Sequence, residues 1–391
     1  MNGHTIHRQM LDYVNHKEIA GASLIVRREG QVIYRNHWGY ANIEERRPVQ
    51  DDTLFRLASL TKPITAVATM MLVEQGKLGL DDEIGRYIPE LASPMVCKTS
   101  FTLEDLNNLA GLDLSKLEFE PAKRAVTIRD LLSHSSGLGM GVAGMALTMK
   151  LCSPDDTLET RFRRLHQLVA DFQPGEGTGY SPLLGFDALA RIIEVVSGQS
   201  FGQFLQEQLL GPLGMTDTSF RLDEQRRKRL AVLYKSEDGR IFQAPVHEDL
   251  DAIGMIGPRY ESGAAGLYST LGDIDRFACM LLHEGELEGR RILKSETVRL
   301  MRQEGAYRHL EFAPGLVWGL GMMIRTDPQR AGSALSAGSY GWSGAFGTHL
   351  FIDPVRKLSA VLMVNRSNIG GAGSYVSKKV EDLVYDELAS E

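Results

Sequence analysis

The chain has 391 residues, of which 43% are hydrophobic and 24% are charged. These are ordinary values for a globular protein with a large core, so they exclude an intrinsically disordered chain and a disulfide-rich scaffold. The net charge of −7 argues against a nucleic-acid-binding protein, because such proteins neutralise phosphates with lysine and arginine.

The N-terminal part of the sequence predicts a helix, two strands and a second helix. Residues 4–17 have a helical pattern, and two strand-like runs follow at residues 22–28 and 31–38. A Glu-Gly pair between these runs indicates a hairpin. From Ser59 to Gln75, apolar residues recur at helical spacing, so one face of this helix is expected to be buried.

The middle of the chain, from about residue 80 to residue 251, is mostly helical in pattern. The clearest helices predicted there are at residues 127–132, 186–197 and 201–210. After residue 263 the sequence predicts both strands and helices. The strands are predicted at residues 318–325, 347–353 and 359–365. The helices are predicted at residues 271–283, 295–302 and 375–388. Strand-rich ends around a helical middle predict one α/β domain built from residues 1–80 and 252–391, with a helical domain, residues 81–251, inserted between them.

The sequence contains no motif typical of a metal or cofactor site. The three cysteines are far apart and never in C-x-x-C spacing: Cys97, Cys152 and Cys279. The acidic and histidine clusters at residues 247–249 (HED) and 283–284 (HE) lack the helical spacing of a metal site. Residues 139–144 (GMGVAG) match G-x-G-x-x-G but follow a predicted helix rather than a strand, so dinucleotide binding is not indicated.

Targeting segments are not evident. The first 16 residues contain no apolar core of signal-peptide length, and no run approaches the roughly 18 apolar residues of a membrane span. We therefore expect a cytoplasmic protein with no membrane span. The basic run at residues 226–229 (RRKR) follows two acidic residues and no aromatic residue, which favours a solvated helix face over a nucleic-acid site.

Ser59-Leu60-Thr61-Lys62 forms an S-x-x-K motif at the start of the buried helix. Residues three apart in a helix have Cβ atoms about 5–6 Å from each other, so Lys62 can reach the Ser59 hydroxyl. The positive end of the helix would stabilise an oxyanion that forms at Ser59 and disfavour the ammonium form of Lys62. On the motif and its placement alone, an N-cap serine followed by a surface lysine is the favoured interpretation.

Further segments, in the same order along the chain, resemble the serine β-lactamase-like superfamily. This superfamily includes class C β-lactamases, penicillin-binding peptidases and the family VIII carboxylesterases, to which the resemblance is closest. The segments that carry it are residues 55–62 (FRLASLTK), 121–139 (PAKRAVTIRDLLSHSSGLG), 172–182 (FQPGEGTGYSP), 192–220, 263–270 (GAAGLYST) and 341–354 (GWSGAFGTHLFIDP). The resemblance covers nearly the whole chain. It implies an antiparallel sheet flanked by helices plus an inserted all-helical domain, and a serine hydrolase that works through an acyl-enzyme.

The resemblance also implies roles for individual residues. Ser59 corresponds to the nucleophile, Lys62 to its partner base and Tyr180 to the third catalytic residue. Because a neighbouring ammonium favours a phenolate, Lys62 and Tyr180 are expected to share a proton. The oxyanion hole is expected to consist of the backbone N–H groups of Ser59 and Ala345.

Two departures from the β-lactamase pattern bear on the substrate. Trp342 stands where these relatives have a cationic lysine, and Pro182 stands where class C enzymes have an asparagine amide. Both changes remove polar groups that recognise β-lactams, and Trp342 offers an apolar wall instead. Ser181, Ser343 and Gly344 complete the predicted substrate contacts. The sequence thus predicts a carboxylesterase that acts on small to medium esters with no metal or cofactor.

Three alternatives stay open. The same apparatus could serve a β-lactamase or D-amino-acid peptidase with weak β-lactam turnover, or an acyltransferase that passes the acyl group to an alcohol. A non-catalytic binding module on the same scaffold is the third. The expected partner is therefore a small-molecule ester or a β-lactam, and the sequence does not predict an oligomeric state.

Residues 341–345 (GWSGA) nearly match the G-x-S-x-G nucleophile motif. A true nucleophile elbow leads from a strand into a helix, whereas a strand is expected after this segment. Ser343 is therefore predicted to be a hydrogen-bonding residue in the wall of the site. His134 and His349 are predicted to be structural, because Lys62 and Tyr180 already fill the role of a base.

Overall fold

The computed structural model describes residues 1–101, 111–139, 141–165, 169–244, 257–303 and 310–389. Its strands are β1 (Gly21–Arg28), β2 (Gln31–Asn42), β3 (Arg47–Pro48), β4 (Phe55–Arg56), β5 (Met95–Cys97), β6 (Phe119–Pro121), β7 (Val169–Ala170), β8 (Tyr234–Glu237), β9 (Arg240–Gln243), β10 (Tyr268–Ser269), β11 (Glu286–Leu287), β12 (Arg290–Arg291), β13 (Glu311–Ala313), β14 (Leu316–Trp318), β15 (Met323–Arg325), β16 (Tyr340–Ser343), β17 (His349–Asp353) and β18 (Leu358–Val364).

The α-helices are α1 (His4–Asn15), α2 (Thr61–Glu74), α3 (Ile128–Leu132), α4 (Val142–Leu151), α5 (Leu158–Arg164), α6 (Leu184–Ser197), α7 (Phe201–Leu205), α8 (Gly211–Leu213), α9 (Glu224–Arg229), α10 (Leu271–Leu282), α11 (Ser295–Met301), α12 (Pro328–Ala331) and α13 (Tyr375–Ala389). Single 3₁₀ turns occur at Ala58–Leu60, Ile84–Arg86, Pro89–Leu91 and Leu114–Lys116. No helix in the described part of the chain has the length and hydropathy needed to cross a membrane.

A nine-stranded antiparallel sheet dominates the fold. Its strand order is β13-β14-β15-β16-β17-β18-β1-β2-β3, so strands from the two ends of the chain lie side by side. The join is the β1–β18 pair, in which Ala22 lies opposite Val364 and Arg28 opposite Leu358. The predicted fold class, an antiparallel sheet flanked by helices, is confirmed.

The central strands are mostly buried because helices cover both faces of the sheet: β17 and β18 are buried throughout, and β1 is buried from residue 21 to residue 26. In β1, Leu24 and Val26 point into a core formed with α1 and α13, while Ile25 points into the larger core on the other face. Strand β18 alternates in the same way, with Leu362 on the first face and Val361 on the second. Successive side chains in each strand thus point to opposite faces of the sheet and pack against different helices. Helix α10 contacts β1, β17 and β18 on the second face.

The two chain termini are tied together by one carboxylate. Glu387 of α13 accepts hydrogen bonds from the backbone N–H groups of Gly3 at 2.6 Å, Thr5 at 2.9 Å and Ile6 at 3.4 Å. Gly3 is the N-cap of α1 and has no side chain to satisfy these donors. A buried carboxylate from the opposite end of the chain therefore caps α1 and interacts favourably with its dipole.

Two element predictions are corrected by the structure. The strand predicted at residues 318–325 is two antiparallel strands, β14 and β15, since the chain reverses between them at Gly321, whose φ is 90°. The helix predicted to stop at residue 210 continues through a π-helical turn and α8 to Gly214, whose φ is 69°. Pro212 is tolerated there because it lies in the first turn of α8, where no N–H donor is needed.

The helical middle also contains strands that the sequence pattern did not predict. Strands β6, β5 and β7 form a small sheet, and β8 and β9 form a hairpin. Each has only two to four residues, too few for a period-two pattern to be visible. We propose that the helical domain nevertheless spans residues 81–251; its second boundary lies outside the described residues.

Replacing Glu387 with alanine should lower the free energy of unfolding by about 1–3 kcal/mol, because three N–H donors, two of them buried, lose their acceptor. Urea denaturation followed by circular dichroism measures this. Asp382→Ala, on the same helix, is the control and should change stability by less than about 0.5 kcal/mol. Equal losses in both variants would show that the carboxylate does not tie the termini together.

Candidate active site

Ser59 lies where β4 gives way to the buried helix α2. The residue before it, Ala58, has a φ of 47°, in the left-handed region that residues other than glycine rarely adopt. Ala58 is buried against Leu233 and Phe346, so packing imposes this conformation. The sharp turn leaves Ser59 half-buried at the N-terminus of the helix, where backbone N–H groups lack intrahelical partners.

Lys62 is fully buried one turn further on. Its Nζ atom lies 3.1 Å from Ser59 Oγ, 2.7 Å from the Pro182 carbonyl oxygen and 3.0 Å from the Ala264 carbonyl oxygen. An ammonium group has three N–H donors and no acceptor, so these three oxygens match it fully. The contact predicted from the S-x-x-K spacing is present, and the surface-lysine alternative is excluded.

Tyr180 is half-buried beside this lysine. The centre of its ring lies 4.9 Å from Lys62 Nζ. Its hydroxyl oxygen accepts a hydrogen bond from Trp342 Nε1 at 3.3 Å, because an indole N–H can only donate. Trp318 stacks on the same ring with a centroid distance of 6.0 Å and an interplanar angle of 14°. The structure therefore brings Ser59, Lys62, Tyr180 and Trp342 together.

His134 holds the loop that carries Tyr180. Its carbonyl oxygen accepts the N–H of Gly179 at 3.0 Å, and its Nδ1 atom accepts the N–H of Ser181 at 3.1 Å. Burial, and then the charge of Lys62, hold the pKa of His134 well below its ordinary value of 6.5. A neutral imidazole leaves Nδ1 able to accept a hydrogen bond. His134 therefore binds the backbone N–H groups of the residues before and after Tyr180.

The turn between β16 and β17 packs against the backbone next to Ser59. A Cβ atom on Gly344 would lie 2.0 Å from the Leu57 carbonyl oxygen, so only glycine permits this approach. Thr348 Oγ1 donates to the same carbonyl oxygen at 2.9 Å. Ala345 is exposed in this turn, and its N–H has no acceptor among the described residues. A free N–H beside the serine is the arrangement that an oxyanion hole requires.

The hydroxyl of Ser181, a predicted substrate contact, is engaged inside the protein. It donates to the Leu138 carbonyl oxygen at 3.0 Å and accepts the N–H of Gly185 at 3.0 Å. Ser181 is 1% exposed. Its side chain therefore joins the tyrosine loop to α6 and does not face the cleft.

Ser343, also predicted to contact substrate, belongs to a buried chain of polar groups. Its hydroxyl lies 2.8 Å from His349 Nδ1, and His349 Nε2 lies 3.0 Å from Glu381. Burial alone would raise the pKa of Glu381, but the hydrogen bond from His349 and the charge of Arg325 outweigh it and hold the pKa below its ordinary value. The ionised carboxylate accepts from His349 Nε2, and the Ser343 hydroxyl forms a hydrogen bond with Nδ1. This chain links β16 and β17 to α13.

An apolar wall borders Tyr180. Trp318 and Trp342 meet edge to face with a centroid distance of 4.5 Å, and Phe312 lies edge-on to Trp318 at 5.5 Å. Leu316 packs on the same cluster. Sequence analysis did not identify Trp318 as part of the site, because only tertiary packing brings β14 next to the tyrosine loop.

Across the ranges that the structure describes, no three His, Cys, Asp or Glu side chains are grouped so as to hold a metal ion. The cluster at residues 247–249 considered above lies outside those ranges.

The family model described as "Beta-lactamase" matches residues 7–379. Among curated proteins, Esterase EstB of Burkholderia gladioli is 31% identical over 395 residues, which covers 94% of this chain and 91% of EstB. Lovastatin esterase of Penicillium rubens is 30% identical over 359 residues, which covers 85% of each chain. The family match and both esterases extend over most of the chain.

Solved structures agree. EstCE1, described as a hydrolase with promiscuous acyltransferase activity, superposes with a TM-score of 0.78 at 26% identity and 97% coverage of both chains. A mutant simvastatin synthase from Aspergillus terreus has the same fold, with a TM-score of 0.79, 22% identity, and coverage of 99% of this chain and 95% of its own. The chain therefore belongs to the β-lactamase family and is a serine hydrolase of the β-lactamase-like superfamily.

Proposed function

We propose that this serine hydrolase is a carboxylesterase that cleaves small to medium esters through an acyl-enzyme on Ser59. The observation that carries the proposal is the 3.1 Å contact between Lys62 Nζ and Ser59 Oγ, next to a tyrosine whose oxygen accepts from Trp342. The indole stands where β-lactam-directed relatives have a lysine. No metal or cofactor has a part in the proposed reaction.

In the acylation step, Tyr180 takes the proton of the attacking serine. Lys62 has all three of its donors engaged, so as an ammonium ion it has no lone pair with which to act as the base. Its Nζ atom lies 4.9 Å from the centre of the Tyr180 ring and the Trp342 N–H donates to the tyrosine oxygen, so both stabilise negative charge on Tyr180 in the proposed reaction. We therefore assign the base to Tyr180 and an electrostatic and orienting role to Lys62.

The tetrahedral intermediate places its negative oxygen between the N–H groups of Ser59 and Ala345. Losing one such donor typically reduces the rate by about 10²–10³-fold. As the intermediate collapses, Tyr180 returns its proton to the leaving alkoxide. A water molecule then attacks the acyl-enzyme and gives its proton to the same tyrosine. When the second intermediate collapses, Tyr180 passes this proton to Ser59 Oγ and the acid is released, which restores both residues.

The lining of the site supports neutral esters as substrates. Trp342 and Trp318, which are 5% and 4% exposed, form an aromatic cluster with the more exposed Phe312 beside the proposed base. Trp342 cannot form an ion pair with a substrate carboxylate. Two relatives that share most of the chain, EstB and lovastatin esterase, are named as esterases, which supports the same substrate class. Ser181 and Ser343 are assigned to positioning the loop and the strand, and Gly344 to the close approach beside Ser59.

Transfer of the acyl group to an alcohol is a second candidate. It is supported by the acyltransferase activity in the description of EstCE1 and by the apolar wall, which lowers the water content near the acyl group. Adding short-chain alcohols to an ester assay and measuring the new ester against free acid by gas chromatography distinguishes transfer from hydrolysis.

A panel of p-nitrophenyl esters of increasing acyl length, assayed beside nitrocefin, tests the proposed function. We expect turnover of the esters with kcat/KM at least about 100-fold above that for nitrocefin, because Trp342 cannot form an ion pair with the nitrocefin carboxylate. Ser59→Ala should lower ester turnover by at least about 10³-fold, since the nucleophile is lost.

A phosphonate ester followed by mass spectrometry of tryptic peptides is the control for the site of attack. The adduct is expected on Ser59. An adduct on Ser343, or full activity in Ser59→Ala, would contradict the assignment, and complete inertness toward every ester and nitrocefin would favour the binding-module alternative.

Tyr180→Phe should reduce kcat by about 10²–10⁴-fold and change KM by less than about threefold, because a general base acts in the transition state rather than in binding. Steady-state kinetics measure both constants. Trp342→Phe, which keeps a ring but removes the N–H donor to Tyr180, should reduce kcat by a smaller factor of about ten. A larger effect on KM than on kcat in Tyr180→Phe would argue that the tyrosine binds substrate only.

Two variants of His134 separate its hydrogen bond from its ring. His134→Asn keeps an acceptor and suits the observed φ of 52°, whereas His134→Phe keeps the ring and loses the acceptor. If the bond to the Ser181 N–H positions Tyr180, the Asn variant should retain a kcat at least about fivefold higher than the Phe variant. The reverse order would mean that the ring packing matters and the bond does not.

The same histidine should make the protein acid-sensitive. Its folded pKa lies well below 6.5, so as pH falls below about 6.5 the unfolded chain gains a proton that the folded protein does not. Wild-type stability therefore decreases with acidification, and His134→Phe should lose less stability than wild type between pH 7 and pH 5. Urea denaturation at several pH values measures the difference, and parallel curves would contradict it.

A further inference from the structure

Asp187 is a buried carboxylate behind the catalytic lysine, in the first turn of α6. It is 1% exposed and accepts three hydrogen bonds: from the Tyr260 hydroxyl at 2.9 Å, the Ser262 hydroxyl at 2.7 Å and the Ala264 N–H at 3.1 Å. Burial raises the pKa of Asp187 above its ordinary value, against the lowering effect of these bonds and of Arg161. Arg161 itself pairs with Asp156 at 3.3 Å. A carboxylate this deeply buried needs a structural or functional reason.

A continuous chain of hydrogen bonds connects this carboxylate to Lys62. The Ser262 hydroxyl, which donates to Asp187, accepts the N–H of Ala265 at 3.1 Å. That N–H and the carbonyl of Ala264 belong to the same peptide group. The Ala264 carbonyl oxygen in turn accepts from Lys62 Nζ at 3.0 Å. The chain thus runs from the Asp187 carboxylate through the Ser262 hydroxyl and the Ala264–Ala265 peptide group to the Lys62 ammonium.

The groups of this chain are almost completely shielded from solvent. Ser262, Ala264 and Lys62 are 0% exposed. In a low-dielectric interior, consecutive hydrogen bonds polarise one another, so an anion at one end increases the negative charge on the acceptor at the other end. Here that acceptor is the carbonyl oxygen that holds the ammonium group.

The peptide segment in the chain is also held mechanically. Thr65 of α2 donates from Oγ1 to the Gly263 carbonyl oxygen at 2.6 Å. A Cβ atom on Gly263 would lie 2.6 Å from the Phe186 carbonyl oxygen, so the segment lies directly on α6. The residues between Ser262 and Ala265 are thus clamped between α2, which carries Lys62, and α6, which carries Asp187.

We propose that Asp187 is a remote positioning residue for Lys62, and that it acts through Ser262 and the Ala264–Ala265 peptide group. The carboxylate orients the Ala264 carbonyl and strengthens its hold on the ammonium, which keeps Nζ directed at Ser59. This inference rests on the proposed function, because it gives Lys62 its orienting role in the reaction of Ser59.

Ser262→Ala and Tyr260→Phe form a matched pair. Each removes one hydroxyl donor from the same carboxylate, but only the Ser262 change interrupts the chain to Lys62. We expect Ser262→Ala to lower kcat for a p-nitrophenyl ester by about tenfold with KM within about twofold of wild type, whereas Tyr260→Phe should stay within about twofold in both constants. Equal effects of the two variants on kcat would overturn the proposal.

Asp187→Asn and the double variant Asp187→Asn/Ser262→Ala provide a second test that does not depend on one variant folding. Asparagine keeps the shape and an acceptor but removes the charge. If both residues act through one chain, Asp187→Asn should also lower kcat by about tenfold, and the double variant should be no more than about threefold slower than either single one. A double variant whose loss of kcat equals the product of the two single losses would overturn the proposal. A wild-type kcat in Asp187→Asn would also overturn it.

Ser59→Ala in the same assay separates the two levels of failure. If Ser59→Ala keeps its activity, the proposed function fails. Circular dichroism first checks that Ser262→Ala and Asp187→Asn are folded. If these two variants retain the wild-type kcat while Ser59→Ala is inactive, only the proposed role of Asp187 fails.

Discussion

The site depends on the placement of one positive charge in the protein interior. Lys62 is completely buried, and a buried ammonium is tolerated only where its donors are satisfied. The three oxygens that satisfy it come from Ser59, Pro182 and Ala264, which belong to three separate segments of the chain. The lysine therefore joins the start of α2, the tyrosine loop and the segment before β10. Any movement of one segment relative to the others would leave a buried donor without an acceptor.

Apolar packing makes this arrangement rigid. Helix α2 is buried from Thr61 to Leu72 on all sides, which is typical of a helix that runs through the centre of a protein. Helix α6 packs against it, and both begin at the site. The start of α2 contributes free N–H groups at Ser59. The start of α6 follows Tyr180 closely along the chain, so the helix anchors the tyrosine loop. A core that cannot shift easily is what allows a few hydrogen bonds to hold reacting groups in place.

Much of this could be predicted from the sequence, because it is local. The contact between Ser59 and Lys62 follows from helical spacing, and the helices, the hairpin and the strand-rich ends follow from apolar periodicity. Tyr180 could be identified only from the resemblance, since nothing in its neighbourhood distinguishes it from other tyrosines. The sequence could not indicate Trp318 or the chain from Asp187 through Ser262, because their partners lie in distant segments that only folding brings together. Short strands such as β5 and the continuation of the helix to Gly214 also depend on tertiary contacts rather than on local preference.

Trp342, which stands where the resemblance to β-lactamases implies a lysine, has two physical consequences for the proposed activity. An ammonium at this position would act as a second cation near Tyr180 and attract a substrate carboxylate over several ångströms. The indole has neither effect, but its N–H makes a directional hydrogen bond to the tyrosine oxygen and its ring joins the apolar wall. The proposed base, Tyr180, therefore depends on Lys62 for electrostatic stabilisation and on Trp342 for orientation. With no charge on the wall, a neutral ester binds without the desolvation of an ion, whereas an anionic β-lactam would lose water from its carboxylate and gain no ion pair.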